Sequence, residues 1–230
     1  MEVVRGVHSV ERVRMSHAFL VEGDGLTLID TGMRGSAESV LSAVAALGRR
    51  VSDLRYIVIS HHHFDHTGSL ARLAEVSQAT VSVHAADAPY VRGDLPRPPF
   101  RRVGFSGWFM RPFMGLFPTN PEPCHVDQEL QDGDEIEAAG GLKVIHAPGH
   151  TPGHIALLMP SKRILFAGDA VLNVLGLRPP LAMATVDMAL AKESVHRMAA
   201  LDFDIACFGH GGIMRKDAVL RFRRFAEKLR

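Results

Sequence analysis

The chain is predicted to adopt an α+β fold in which two β-sheets pack together with helices on the outside. Two observations point there. Short apolar runs cluster in two groups along the 230 residues, and each group is flanked by segments whose apolar residues recur at helical spacing. A third gives the fold a purpose: several of the apolar runs stop abruptly at His, Asp and Gly.

In chain order, 17–22 and 26–29 form the arms of a hairpin with Gly23-Asp24-Gly25 as the turn. From Ser36 to Leu47 the residues Val40, Leu41, Val44 and Leu47 mark an amphipathic helix, and Gly48 stands where a C-terminal cap belongs. Tyr56-Ile57-Val58-Ile59 reads as a buried strand, followed by a helix over 68–75 and a strand over 80–83. In the second half, 142–145, 155–159 and 164–166 are strands separated by Gly, Pro or charged residues. Asp187 to Leu201 is an amphipathic helix through Met188, Ala191, Val195 and Met198, 204–208 a strand, and 216–229 a basic helix. Between the halves, 93–123 is a different material, rich in proline and holding five of the 12 Phe and the single Trp.

Composition narrows the function. Lys plus Arg (26) nearly balances Asp plus Glu (25), so no basic field points to nucleic acid. The two cysteines, Cys124 and Cys207, are too few for a disulfide framework or a thiolate cage. No stretch is long and apolar enough for a membrane anchor and the start lacks the pattern of a signal peptide, so the expectation is a cytoplasmic protein.

The 13 His are unevenly placed, and residues 61–66 read HHHFDH directly after a strand. Such a polar cluster must be solvated, paired or ligated, because burying unpaired polar groups costs several kcal/mol. In an extended loop His61 and His63 fall on one side and converge, while Asp65 and His66 can turn towards a second point nearby. That spacing suits two adjacent metal ions better than one. Further ligands are expected at other strand ends: His150 in APGHTPGH (147–154), Asp169 in ILFAGD (164–169) and His210 in CFGHGG (207–212). Imidazole and carboxylate without thiolate suit Zn²⁺, Fe or Mn²⁺.

With LIDTG at 28–32, HxHxDH at 61–66, PGHTPGH at 148–154, GD at 168–169 and GHG at 209–211, in this order, the chain resembles the metallo-β-lactamase-fold hydrolases, glyoxalase II among them. The resemblance implies a single-domain αββα sandwich with a two-metal site, most simply two Zn²⁺, at the shared edge of the sheets. It implies that His61, His63 and His150 hold one ion, that Asp65, His66 and His210 hold the other, and that Asp169 bridges them. The activity it implies is hydrolysis, a metal-bridging hydroxide attacking the carbonyl of an ester, thioester or lactone. Asp65 would also orient the nucleophile and carry a proton to the leaving group. Asp30 in LIDTG resembles the aspartate that supports the metal loop from behind; a turn-forming role is its ordinary alternative.

Branches of that superfamily differ in ways this sequence touches. Glyoxalase II carries a further helical domain that binds glutathione, whereas 20 residues follow His210 here. The antibiotic-degrading branches usually have Cys or Ser where Asp169 stands, and many lactonases have Tyr where this chain has Leu172. A second reading is a mononuclear iron dioxygenase of the persulfide type, with iron held by two His and the Asp. His62 should point away from its neighbours, and His154 either ties down the 147–154 loop or meets substrate. Cys207 reads as a small buried hydrophobe. The segment 100–118 is too apolar for a solvated loop. Two readings stand for it: a lid whose Phe105, Trp108, Phe109, Phe113 and Met114 shape a pocket for an apolar acyl part of a small-molecule substrate, or a contact between two copies in a homodimer.

Overall fold

The computed structural model describes residues 1–99, 120–137 and 140–229. Phe105, Trp108, Phe109, Phe113 and Met114 lie outside them.

The first sheet has seven strands, β1 (Glu2–Val4), β2 (Val7–Ser9), β3 (Phe19–Gly23), β4 (Gly25–Ile29), β5 (Leu54–Ile59), β6 (Thr80–His84) and β7 (Gln128–Leu130), neighbours in sequence order among the described residues. It is mixed: β1 to β4 run antiparallel, and β4 to β7 run parallel. Parallel neighbours need crossovers, and helices supply two of them. α1 (Ala37–Ala46) leads from β4 to β5; α2 (Phe64–Thr67) and α3 (Leu70–Ser77) lead from β5 to β6. α4 (Ala88–Arg92) follows β6.

The second sheet has the order β14-β11-β10-β9-β8, formed by Ile205–Cys207, Ile164–Phe166, Ile155–Met159, Leu142–His146 and Glu135–Ile136. There β11 and β14 pair in parallel, and β11 with β10, β10 with β9 and β9 with β8 pair antiparallel. A small hairpin, β12 (Leu172–Asn173) and β13 (Leu177–Arg178), stands apart, and two helices, α5 (Met188–Ala199) and α6 (Ala218–Glu227), follow it.

Among the described residues, three apolar cores define the layers. One joins α1 and α3 to the outer face of the first sheet through Val40, Val44, Leu70, Leu73, Leu28, Ile57 and Val81. The second joins α5 and α6 to the other sheet through Val195, Met198, Phe222, Leu165, Ala206 and Phe208. The third lies between the sheets, where Phe19, Val21, Ile29 and Val58 meet Val144, Leu157, Phe166 and Cys207. Alternation along a strand produces this arrangement: Leu28 and Ile57 face the helices while Ile29 and Val58 face the other sheet. Each fully buried Leu, Ile or Val contributes about 1.5–3 kcal/mol, so helices and sheets are held in layers mainly by these faces. The αββα sandwich expected from the sequence is the fold, and Cys207 is the buried hydrophobe expected of it.

Several boundaries differ from expectation, those beside the site and at the hairpin most clearly. The helix predicted over 68–75 is shifted to Leu70–Ser77, and the last four residues of 61–67 already form α2. The hairpin closes over Asp24 alone, because Gly23 and Gly25 themselves pair. Among the described residues no helix is long and apolar enough to cross a membrane.

Candidate metal centre

All seven predicted ligands converge at one edge of the sandwich. Each lies just beyond a strand: His61, His63, Asp65 and His66 after β5, His150 after β9, Asp169 after β11 and His210 after β14. The extended backbone at His63 gives way to α2, so His61 and His63 project from a loop while Asp65 and His66 project from the first turn of a helix. That break separates the block into two pairs.

The ligand atoms of His61, His63 and His150 lie within 4.8 Å of one another, as do those of Asp65, His66 and His210. His61 Nε2 is 3.1 Å from His63 Nδ1. Asp169 stands between the groups: Oδ1 is 3.4 Å from His66 Nε2, and Oδ2 is 3.1 Å from His210 Nε2 and 3.7 Å from His150 Nε2.

The imidazoles are oriented from behind by hydroxyls and a carboxylate. Asp30 accepts hydrogen bonds from Ser60 N (2.8 Å), from Ser60 Oγ (2.7 Å) and from His66 Nδ1 (2.8 Å). Because the Ser60 hydroxyl donates to Asp30, it accepts from His61 Nδ1 at 3.0 Å. Thr185 Oγ1 likewise donates to Leu181 O and accepts from His150 Nδ1 at 3.2 Å. In all three rings a proton is thereby assigned to Nδ1 and Nε2 is turned into the site; in His61 and His150, which are neutral, that Nε2 carries a lone pair. Asp30 reaches this position with φ 58°, a left-handed backbone that Asp tolerates better than most residues. Its carboxylate bonds to residues 30 and 36 positions on, Ser60 and His66.

His154 links the 147–154 loop to the central carboxylate. Its Nε2 accepts from Asp169 N at 3.0 Å, so it holds that residue's backbone as well as its own loop. His62 points away from the cluster, stacked on Tyr90 with ring centres 4.4 Å apart. Ser60, Thr185, Thr31 and Ser16 were not singled out by the sequence. Thr31 Oγ1 donates to His66 O at 2.7 Å and Ser16 Oγ to Asp65 O. A hydroxyl adjoining a candidate ligand, for Ser60, or lying within LIDTG, for Thr31, was the signal available; none existed for Thr185.

Electrostatics divides the site. Burial, reinforced by neighbouring imidazoles, holds His61 and His150 well below the usual histidine range. Burial pushes His63 down to about 3. These three rings are therefore neutral at neutral pH and able to offer a lone pair. For His66 burial also opposes charge, but Asp30 and Asp169 outweigh it and raise it well above the usual value. His210 rises to about 9 because Asp169 and Asp65 outweigh its burial. Asp65 is held low despite burial by its contact with His210, and Asp169 lower still by His66 and His210.

The donor set fits divalent metal. His66 Nε2, His150 Nε2 and Asp169 Oδ1 are buried without a hydrogen-bond partner, and unpaired buried groups aimed at one point are what a cation satisfies. Neutral imidazole and carboxylate donors without a thiolate suit borderline cations such as zinc. To ligate a metal, His66 and His210 would have to release protons, which would couple uptake to pH.

Beside His62 and His63 opens a cavity of about 150 Å³, whose walls include Pro98, Pro99, Met183, Ala184 and Val186. A larger cleft of about 490 Å³ beside α1 contains none of the ligands.

An αββα sandwich with His and Asp ligands gathered at strand ends along one edge defines a metal-binding hydrolase scaffold. Residues 12–210 match the metallo-beta-lactamase superfamily, and the chain belongs to that superfamily as a metal-dependent hydrolase. It is 31% identical over 228 residues to the Bacillus subtilis (strain 168) protein named "Probable metallo-hydrolase YflN", covering 91% of this chain and 85% of that one. It is 33% identical over 140 residues to a hydroxyacylglutathione hydrolase of Aeromonas hydrophila, covering 60% of this chain and 41% of that one. Among solved structures, a metallo-beta-lactamase family protein from Thermus thermophilus superposes with TM-score 0.72 at 26% identity, covering 99% of this chain and 79% of that one.

Proposed function

We propose that the protein is a dinuclear hydrolase, with zinc the first choice of metal, acting on an ester, thioester or lactone whose acyl part is apolar. The observation that carries this is Asp169, whose two carboxylate oxygens face ligands of both groups, Oδ1 towards His66 and Oδ2 towards His150 and His210. A mononuclear iron centre would need only two His and the Asp, leaving Asp65, His66 and His210 gathered without a purpose.

His61, His63 and His150 would hold one ion and Asp65, His66 and His210 the other. When bound, such ions supply carbonyl polarisation and a water acidified enough to act near neutral pH. The chain's own groups do the rest. Asp65 stays ionised beside His210, its Oδ2 3.2 Å from His210 Nε2, so it can accept a proton at the carboxylate and pass it to a leaving oxygen or sulfur. Pro98, Pro99, Met183, Ala184 and Val186 offer an apolar surface next to His63, which favours an acyl chain over a charged group. The hydroxyacylglutathione hydrolase similarity supports including thioesters.

The test is metal quantification and a panel of thioesters, lactones, aryl esters, phosphodiesters and a β-lactam on one sample. Two zinc-like ions per chain with turnover of acyl substrates are expected. The double variant His61→Ala/His66→Ala should lose both metal and turnover. One iron per chain with oxygen consumption would overturn the proposal.

A further inference from the structure

A second buried carboxylate, belonging to neither ligand group, ties their loops together. Asp87 follows β6 and precedes α4, a position where Asp would ordinarily cap the helix, yet its side chain makes no cap bond. It is fully buried and turned the other way. Its Oδ2 accepts from His62 N at 2.9 Å and from Thr151 Oγ1 at 2.7 Å, and its Oδ1 accepts from Gly153 N at 2.6 Å. His62 Nδ1 lies 3.0 Å from the same Oδ2. Burial alone would raise this carboxyl; contacts with His62 and Thr151 outweigh it and keep the group ionised. The approach is close enough to require glycine opposite: a Cβ on Gly153 would stand 2.5 Å from Asp87 N.

The partners of Asp87 are adjacent in sequence to one set of ligands. His62 separates His61 from His63, and holding its backbone and ring on the Asp87 side sends the two flanking rings to the other. Thr151 follows His150. One carboxylate therefore grips the neighbours of His61, His63 and His150 together. Asp30 does the corresponding work elsewhere, holding His66 directly.

We infer that Asp87 is a positioning residue for the His61, His63 and His150 site in particular. The inference rests on the two-ion reading above. A group that merely held the fold would weaken both sites alike.

The test is titration of the full metal-free chain with zinc alone, in competition with a chromogenic chelator, for the parent, Asp87→Asn and Thr151→Val. Both variants keep nearly the parent side-chain volume. Asp87→Asn is expected to weaken one of two zinc sites about 10–100-fold, the usual effect of losing such a supporting contact; Thr151→Val should act in the same direction and less. The site is assigned by repeating Asp87→Asn in two backgrounds. With His210→Ala the remaining zinc should weaken; with His63→Ala it should not. If Asp87→Asn does not fold, Thr151→Val decides by the same comparison. Equal weakening of both sites, or of neither, overturns the inference while leaving the two-ion reading intact. A parent chain that binds fewer than two zinc ions overturns that reading and the inference with it.

Discussion

Asp30→Asn isolates the support behind His66 with almost no change in volume. The carboxylate receives three hydrogen bonds of 2.7–2.8 Å, one on Oδ1 and two on Oδ2. An amide keeps the Oδ1 acceptor for Ser60 N, and a rotated Ser60 hydroxyl can accept from the new NH₂. His66 Nδ1 has no such escape. Either its proton stays buried and unpaired, or it moves to Nε2, the atom that faces Asp169 and is needed as a ligand. A hydrogen bond to a charged group contributes about 1.5–3 kcal/mol net, and each 1.4 kcal/mol is about tenfold in an equilibrium. Zinc affinity at the site containing His66 should therefore fall roughly 10–100-fold, in line with other supporting contacts of this kind. Chelator competition at neutral pH measures it, with circular dichroism as the control for folding. Unchanged zinc affinity in a folded Asn variant would refute the tautomer argument.

The remaining expectations concern pH and close packing. In the metal-free protein His61, His63, His150 and His154 stay neutral because burial lowers them, to about 3 for His63 and about 4 for His154. Below the unfolded value of about 6.5 the unfolded chain gains protons that these rings refuse, so stability falls towards acid. His66 and His210 act oppositely: raised in the fold, they contribute fully below about 6.5 and lose that contribution as pH rises through their folded values, about 9 for His210. The melting temperature of metal-free protein should thus peak between these limbs; a steady climb up to about pH 9 contradicts the assignment. Gly209→Ala would set a Cβ 2.0 Å from Asp169 Oδ1 and 2.8 Å from His66 Cε1. It should displace the central carboxylate and reduce metal content by elemental analysis; a variant that keeps its full complement would show that the loop yields more readily than the packing implies.

Much of this site was legible because its residues are chemically loud. HHHFDH after a strand, and His or Asp beside glycine after three others, leave few ordinary explanations, and all seven side chains converge. The long elements were legible for a related reason: the apolar spacing of Val40 and Val44, or of Val195 and Met198, is the same spacing that buries them. Short edge strands such as β1, β7 and β8 carry two or three residues, too few for alternation to register. Asp87 was illegible for a different reason. An Asp before Ala-Pro at a helix start reads as a cap, and only the folded chain shows its carboxylate engaged across the molecule by Thr151 and Gly153. Thr185, 35 residues from His150, likewise becomes a partner only through the loop that returns it.

The distribution of ligands between the sheets has a consequence for cohesion. Each group draws two side chains from the segment after β5 and one from the second half of the chain, His150 in one case and His210 in the other. Neither half of the chain brings together either group by itself. Bound cations would act as rivets through the seam between the layers, adding their binding free energy to the apolar contact already there. Stripping them should loosen the docking of one half on the other before it frays any single strand, so starvation for metal would surface first as susceptibility to proteolysis along that seam.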